Sequence, residues 1–264
     1  MKYRIFGLIL SGIMLWSCNT KNEDQKKDLS NEPKEFGEFE IVEKSDWHSF
    51  QELLDQHAGL SFEKQLIFDD IIGDNLWQFD KISGTITFAD TLIFPVQIIG
   101  SISFIDNSWL WGWANSKSEF PENLLVQSNQ LKKLGEKKGI KELTEEHFLV
   151  DENFEYKIGL ISSGLFKSQS YYCANYGQGT LVVTIDSEKI PDIDKKNFEK
   201  ILSSFLQLIS IIDLNHKSAF RNYLIDRDFR LKIADDKIEG SKNGKIIVGE
   251  FDKLSRLTNL SGDL

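Results

Sequence analysis

The chain of 264 residues contains few of the residue types that mark specialised classes of protein. It has only two cysteines, which excludes a disulfide-stapled miniprotein. Four prolines and 18 glycines exclude a collagen-like repeat, and a hydrophobic content of 41% excludes a chain that is disordered throughout. The remaining balance is that of an ordinary globular protein.

Basic residues are also scarce relative to acidic ones. Lysine and arginine total 31 against 41 aspartates and glutamates, which gives a formal net charge of −10. Non-specific binding of nucleic acid needs basic side chains to neutralise phosphates, so no nucleic-acid partner is predicted. A negatively charged surface instead favours a basic protein partner, which it attracts by electrostatic steering.

The N-terminus has the order of features found in an exported bacterial protein. Lys2 and Arg4 precede an apolar run of twelve residues, which is shorter than the roughly 17–25 residues of a membrane-spanning helix. The run leads into Leu15-Trp16-Ser17-Cys18, which resembles a bacterial lipobox, although Trp16 departs from the small or aliphatic residue usual at that place. The resemblance implies a lipoprotein signal peptide over residues 1–17 and acylation of Cys18, as with palmitate. A plain signal peptide with an incidental cysteine is the alternative.

The next segment, residues 18–36, is predicted to be a flexible tether. Leu29 is its only large apolar residue before position 36, so the segment cannot bury enough surface to offset the entropy of ordering. Each buried acyl methylene contributes about 0.8 kcal/mol, and the several chains of a bacterial lipoprotein hold such a protein on a bilayer. We therefore expect a lipid-anchored protein of the bacterial cell envelope, on the periplasmic or the surface-exposed side of the outer membrane.

The folded part is predicted to be α+β, with an antiparallel β-sheet covered by helices in two layers. Strand candidates joined by short loops alternate with amphipathic helices, which is typical of this class. We expect a main domain over residues 37–213 and a small β-rich C-terminal unit over residues 214–264, packed on it. We also expect a helix break at Gly59 and a long helix that starts at Pro191.

The most unusual segment is the tryptophan-rich stretch from Trp109 to Asn115. In a strand that continues to Ala114, Trp109, Trp111 and Trp113 share one face. That face is either the centre of the hydrophobic core or an exposed platform on which a sugar could stack. Both interpretations stay open at this point, and Asn115 lies beside the same candidate face.

The tryptophan stretch resembles the hallmark of an uncharacterised bacterial domain family with a Trp-Leu-Trp-Gly/Ala-Trp-Ala-Asn motif. The resemblance implies a shared fold but no established activity, so no catalytic residue follows from it. It extends to Ile99-Gly100-Ser101, Leu134-Gly135-Glu136, Leu143-Thr144, Tyr172, residues 215–220 and residues 251–258.

Signatures of catalysis are sparse. The chain contains no G-x-S-x-G or H-E-x-x-H sequence, and the four histidines lack the spacing of metal ligands, so neither a cofactor nor a metal is predicted. Cys173 lies in an aromatic run without a nearby cation, which indicates an inert buried thiol. His216 beside Asp213 is the histidine best placed to act as a base, with a helix-capping role as the alternative.

Two functions remain from these observations. The first is a non-catalytic, membrane-anchored binding or protein-interaction module, of which an immunity-type protein against a basic toxin is one form. The alternative is an envelope protein that binds or hydrolyses glycans with its tryptophan face. The absence of an assembled catalytic motif favours the first over an enzyme.

Overall fold

A computed structural model describes residues 37–262 of the chain. The predicted signal peptide, the predicted tether up to residue 36 and the lipidation site Cys18 lie outside the described residues. All described residues belong to one compact unit. Among them, no helix is long and apolar enough to cross a membrane.

Six α-helices occur in the described part of the chain. The first begins after Ser49, whose side chain accepts a hydrogen bond from the backbone N–H of Glu52, as an N-cap residue does. The helices are α1 Phe50–Ile72, α2 Val126–Lys138, α3 Lys141–Thr144, α4 Phe154–Leu165, α5 Phe198–Ile211 and α6 His216–Asp226.

Helix α1 is continuous, so the predicted break at Gly59 is wrong. A Cβ atom at this position would lie 2.5 Å from Cβ of Tyr223 on α6. The glycine is therefore required by the close approach of two helices, and packing outweighs its low helix propensity.

Helix α5 begins at Phe198, seven residues later than predicted. Asn197 caps it by accepting a hydrogen bond from the N–H of Lys200. The preceding loop is held in a non-helical form by Arg227, which donates to the carbonyl oxygens of Asp194 and Asn197 at 3.0 and 2.9 Å.

The larger sheet has seven antiparallel strands centred on β3. On one edge of β3, the first residues of the strand pair with β2 and the last residues pair with β4. Strand β7 pairs with β3 from Val96 to Ser103. Strand β1 extends the sheet beyond β2, β5 beyond β4 and β6 beyond β7. The strands are β1 Trp77–Asp80, β2 Thr85–Phe88, β3 Leu92–Ser103, β4 Ser108–Trp111, β5 His147–Leu149, β6 Ser170–Asn175 and β7 Gly179–Ile185.

The smaller sheet lies at the C-terminal end of the described residues and has four antiparallel strands in the order β11-β10-β9-β8. Helices α5 and α6 precede it, and Phe220 of α6 packs against Phe251 of β10. The α+β class with a small C-terminal β-rich unit is therefore confirmed. Its strands are β8 Arg230–Ile233, β9 Lys237–Lys242, β10 Lys245–Phe251 and β11 Leu257–Gly262.

Two hydrophobic clusters fill the interior. On β7, Val182 belongs to the larger cluster and its neighbour Val183 to the smaller one, because successive side chains of a strand point to opposite faces. The larger cluster also contains Ile247 and Phe251 of the smaller sheet. One core thus continues from the main sheet into the C-terminal strands.

Candidate functional site

The tryptophans of β4 lie in the larger core. Trp109 and Trp111 are both 0% exposed, and their rings meet edge to face with centroids 5.4 Å apart. Trp111 also donates from Nε1 to the carbonyl oxygen of Glu142 at 3.2 Å. A Cβ atom on Gly100 of β3 would come within 2.4 Å of the Trp109 ring, so this glycine makes room for the indole.

The strand ends at Trp111, three residues earlier than predicted. A 3₁₀ turn over Gly112–Ala114 follows, and a Cβ on Gly112 would lie 3.1 Å from the carbonyl oxygen of Ile99. Trp113 therefore lies beyond the end of the strand, where its ring stacks on that of Trp111 with centroids 6.5 Å apart.

Beyond the strand, Trp113 is partly buried, with Nζ of Lys132 3.9 Å from the centroid of its ring. Asn115 caps the next turn by accepting from the N–H of Ser118 at 3.2 Å. A glycan-stacking platform of three tryptophans is consequently not formed, because two of the rings are enclosed and the third lies on a turn.

The aromatic segment of β6, by contrast, borders an open cleft. The cleft has a volume of about 440 Å³ and lies between α1, α4, β6 and the end of α5, a size in the range of ligand-binding pockets. Its lining residues are Phe62, Gln65, Leu66, Asp69, Asn153, Tyr156, Leu160, Tyr171, Tyr172, Cys173, Gln207, Ile211 and Ile212.

Apolar side chains reach solvent at the rim of this cleft. Tyr156 of α4 is 44% exposed and Ile211 of α5 is 51% exposed. Tyr171 of β6 is buried in the floor, where it fits against Gly159, whose Cβ would lie 2.2 Å from the ring. An aromatic and aliphatic rim of this kind favours contact with the apolar part of a ligand or partner.

The polar groups of the cleft combine a carboxylate with protonated hydroxyl and thiol groups. Oδ1 of Asp69 accepts a hydrogen bond from Nε2 of Gln65 at 2.9 Å. Asp69 is exposed, but neighbouring protein atoms displace part of the water around its carboxyl group and so raise its pKa. Burial raises the pKa of Tyr156 and of Tyr172 as well, so both phenols keep their protons at neutral pH.

Cys173 is held as a neutral thiol. Burial raises its pKa well above the ordinary value, with the charge of Glu155 as the next cause. The thiol donates to the carbonyl oxygen of Glu155 with a sulfur–oxygen distance of 3.7 Å. A thiol in this state is a poor nucleophile, since the thiolate is the reactive form.

The cleft is chemically suited to hold a cation attached to an apolar group. Ring faces attract cations, and the carboxylate of Asp69 supplies the opposite charge beside them. The described residues contain no group of three or more histidine, cysteine or acidic side chains that could hold a metal ion.

His216, the histidine singled out by its neighbours in sequence, serves another purpose. Its Nδ1 accepts a hydrogen bond from the backbone N–H of Leu257 at 3.1 Å, which connects α6 to β11. Its pKa is lowered by burial, an effect that the charge of Asp213 opposes. The structure therefore gives His216 a role in joining two elements.

Comparison with known families assigns the chain. A family of unknown function, DUF6882, matches residues 51–188, which is just over half of the sequence. The chain belongs to this family. The DUF6882 region contains the tryptophan motif and three of the four elements around the cleft, α1, α4 and β6. Helix α5 lies beyond this region, as do residues 215–220 and 251–258, to which the resemblance was expected to extend. No curated protein and no solved structure matches the chain.

Proposed function

We propose that the protein is a lipid-anchored component of the bacterial cell envelope that binds a basic protein partner without catalysing a reaction. The anchor is the acylated Cys18. The binding site is the cleft between α1, α4, β6 and α5, which receives a cationic side chain of the partner.

The anchor proposal rests on the order of charge, apolar run, lipobox and polar segment at the N-terminus. Removal of residues 1–17 takes away Lys2 and Arg4 and no acid, so the mature protein is more acidic than the full chain. Anionic headgroups repel such a body. A tether of residues 18–36 would therefore leave the cleft accessible to soluble partners.

Metabolic labelling with palmitate tests the anchor. We expect the wild-type protein to be labelled and to fractionate with membranes, and Cys18→Ala to lose both properties. Cys173→Ala is the matched control, because it removes the other cysteine of the chain and should keep the label. An unlabelled wild-type protein would contradict the proposal.

The binding proposal is carried by one observation: Asp69, Tyr156 and Tyr172 line a single cleft whose apolar rim is about half exposed. Tyrosine is enriched at the centres of protein interfaces, where its ring gives contact area and its hydroxyl gives a polar contact. The net charge of −10 would add steering of a basic partner toward the protein. Neutral phenols and a neutral thiol suit binding better than nucleophilic catalysis.

Capture of partners from detergent-solubilised envelopes, at low and at high salt, tests the binding proposal. We expect the wild-type protein to retain a basic protein at low salt and to retain less of it at high salt. Tyr156→Ala should lose the partner, while Tyr176→Ala, which changes a 53% exposed tyrosine outside the cleft, should keep it. Asp69→Asn and its exposed neighbour Asp70→Asn form a second matched pair, in which only the former should lose binding. Equal retention by all variants would contradict the proposal.

A further inference from the structure

A second, smaller cavity lies on a different face of α1. It has a volume of about 160 Å³ and is enclosed by α1, α4, the end of α6 and the segment that precedes α1. His57, Leu60, Ser61 and Lys64 line it from α1 at the helical spacing of three and four residues, so one face of the helix points into it. Gly164 of α4 lies opposite.

Polar atoms in the wall of this cavity are left without partners. His57 and Ser61 are each 1% exposed, and within the described part of the chain neither ring nitrogen of His57 nor Oγ of Ser61 makes a hydrogen bond. Buried polar groups are nearly always satisfied, because an unpaired one loses its hydrogen bonds to water without gaining any in the protein. A cavity flanked by three such atoms therefore indicates a bound group.

The absence of a side chain at position 164 is part of the arrangement. A Cβ on Gly164 would lie 2.8 Å from Oγ of Ser61 and 2.9 Å from Nδ1 of His57. These two polar atoms therefore lie against the same point of α4, which approaches α1 so closely that only a glycine fits there. Burial, followed by the charge of Lys44, lowers the pKa of His57 well below its ordinary value. A neutral imidazole retains one N–H to donate.

One cation at the cavity, Lys64, makes no close ion pair with a described residue, although Asp186, Asp226 and Asp192 act on it at longer range. Nζ of Lys44 pairs with Oδ2 of Asp226 at 2.6 Å, which balances both groups. Lys64 donates to the carbonyl oxygen of Ser168 at 2.7 Å, and no carboxylate of the described residues lies within ion-pair distance of it. At the edge of the cavity, Lys167 is paired with Glu40 at 2.9 Å. A single negative charge would therefore complete the site.

We propose that this cavity binds a small monocarboxylate, with the carboxylate oxygens held by Lys64, Ser61 and the N–H of His57. A carboxylate accepts several hydrogen bonds at once, and its single negative charge would balance the positive charge of Lys64. A doubly charged oxyanion is disfavoured, because Lys44 and Lys167 are already paired and Lys64 alone would have to balance it. Val42 and Leu60 line the rest and suit a short alkyl group. The proposal is independent of the cleft and of the anchor.

Calorimetric and thermal-unfolding titrations of the detergent-solubilised full-length protein test the site, with sodium acetate as probe. Sodium chloride at equal ionic strength is the reference, and inorganic phosphate at pH 8 is the doubly charged competitor. We expect acetate to bind at one site per chain and to raise the unfolding midpoint above that in chloride, because a ligand that binds only the folded state stabilises it. Equal midpoints in acetate and chloride would show a cavity that holds only water and would overturn the proposal. Phosphate that binds more tightly than acetate would overturn the choice of a monocarboxylate.

Two matched pairs of variants locate the site. Lys64→Met should weaken acetate binding at least ten-fold, while Lys232→Met, which changes a surface lysine on β8, should leave it unchanged. Ser61→Ala should weaken binding several-fold, while Ser204→Ala, which changes a buried serine of α5 outside the cavity, should not. If Lys64→Met does not fold, the serine pair decides. Wild-type affinity in Ser61→Ala would overturn the proposal.

Discussion

The tryptophan segment, Trp109–Trp113, begins in the same seven-stranded sheet that contains the tyrosine segment, Tyr171–Cys173, but the two segments have different surroundings. Trp109 packs edge to face against Phe154 of α4, and Trp111 bonds to the carbonyl of Glu142 on α3, so helices close over both rings. Tyr172 is only partly buried and borders the cleft beside α1. The difference shows that exposure of an aromatic run is decided by the elements that cover it.

The two segments also show two uses of glycine. Gly100 receives the Trp109 ring inside a sheet, and Gly159 receives the Tyr171 ring against a helix. In the first case the result is a closed core, and in the second it is the floor of the cleft. Substitutions in the tryptophan segment should therefore lower stability, and substitutions in the tyrosine segment should weaken binding.

The largest loss of stability is expected for Trp109→Ala. Truncation of a fully buried tryptophan removes its apolar surface and leaves a cavity, which costs about 3–5 kcal/mol of unfolding free energy. Urea denaturation followed by circular dichroism measures this. Trp113→Ala is the control and should cost less, because its ring is only partly buried. A greater loss of stability in Trp113→Ala than in Trp109→Ala would contradict the difference in burial between the two rings.

The pH dependence of stability distinguishes a buried acid of α1, Asp55, from an exposed acid of the same helix, Asp70. Burial raises the pKa of Asp55 on α1 from 3.8 to about 6. The folded state therefore binds the Asp55 proton more tightly than the unfolded state, and the stability present below pH 3.8 is lost as the pH rises through about 6. Asp55→Asn should raise the unfolding free energy by about 2–3 kcal/mol at pH 8 and change it little at pH 3.

The asparagine at position 55 can keep both hydrogen bonds that Oδ1 accepts, from Nε2 of Gln51 at 3.0 Å and from the N–H of Asn215 at 3.1 Å. Denaturation curves at the two pH values measure the difference. Asp70→Asn changes an exposed acid of the same helix and serves as the control. A gain in Asp55→Asn that is equal at pH 3 and pH 8 would contradict this assignment.

The two ring-receiving glycines give a third test. Gly100→Ala should lower stability by about 1–3 kcal/mol, because the added Cβ meets both the Trp109 ring and the carbonyl oxygen of Leu110. Gly159→Ala should lower it less, since alanine gains about 1 kcal/mol of helix propensity there. The second variant should instead weaken partner binding by displacing Tyr171 in the cleft. Denaturation and partner capture on both variants measure these effects, and a reversed order of stability would be inconsistent with the packing described.

The smallest effect on stability is expected for Tyr156→Ala. The ring is half exposed, so its loss should change the unfolding free energy by less than about 1 kcal/mol. The same substitution should lower partner affinity about ten-fold or more, as truncation of a tyrosine at an interface centre does. Binding and denaturation measured on one preparation give both values. Unchanged affinity would remove Tyr156 from the binding site.

The α+β class and the amphipathic helix α5 could be predicted from local patterns. Phe198, Ile201, Phe205 and Leu208 recur at helical spacing, and all four are buried. The continuity of α1 through Gly59 could not, because the reason lies in Tyr223, more than 160 residues away. Likewise, the start of α5 depends on Arg227, which reaches back to the loop before it.

The cleft was even less accessible to sequence analysis. Tyr156, Asp69 and Ile211 lie on three helices that are far apart in the chain, and the aromatic run around Cys173 indicated only a buried strand. The tryptophan motif, in contrast, gave a strong local signal for what proved to be core side chains. A site formed by several elements leaves little pattern in any one of them.

The most direct test of the binding account is site-specific photo-crosslinking in the bacterial envelope. A photo-reactive amino acid would replace either Tyr156 at the cleft or Tyr176 on the β6–β7 turn, which is exposed to a similar degree. We predict that illumination joins a basic protein to position 156 and leaves position 176 unmodified. Crosslinks that are absent at 156, or equal at both positions, would contradict it.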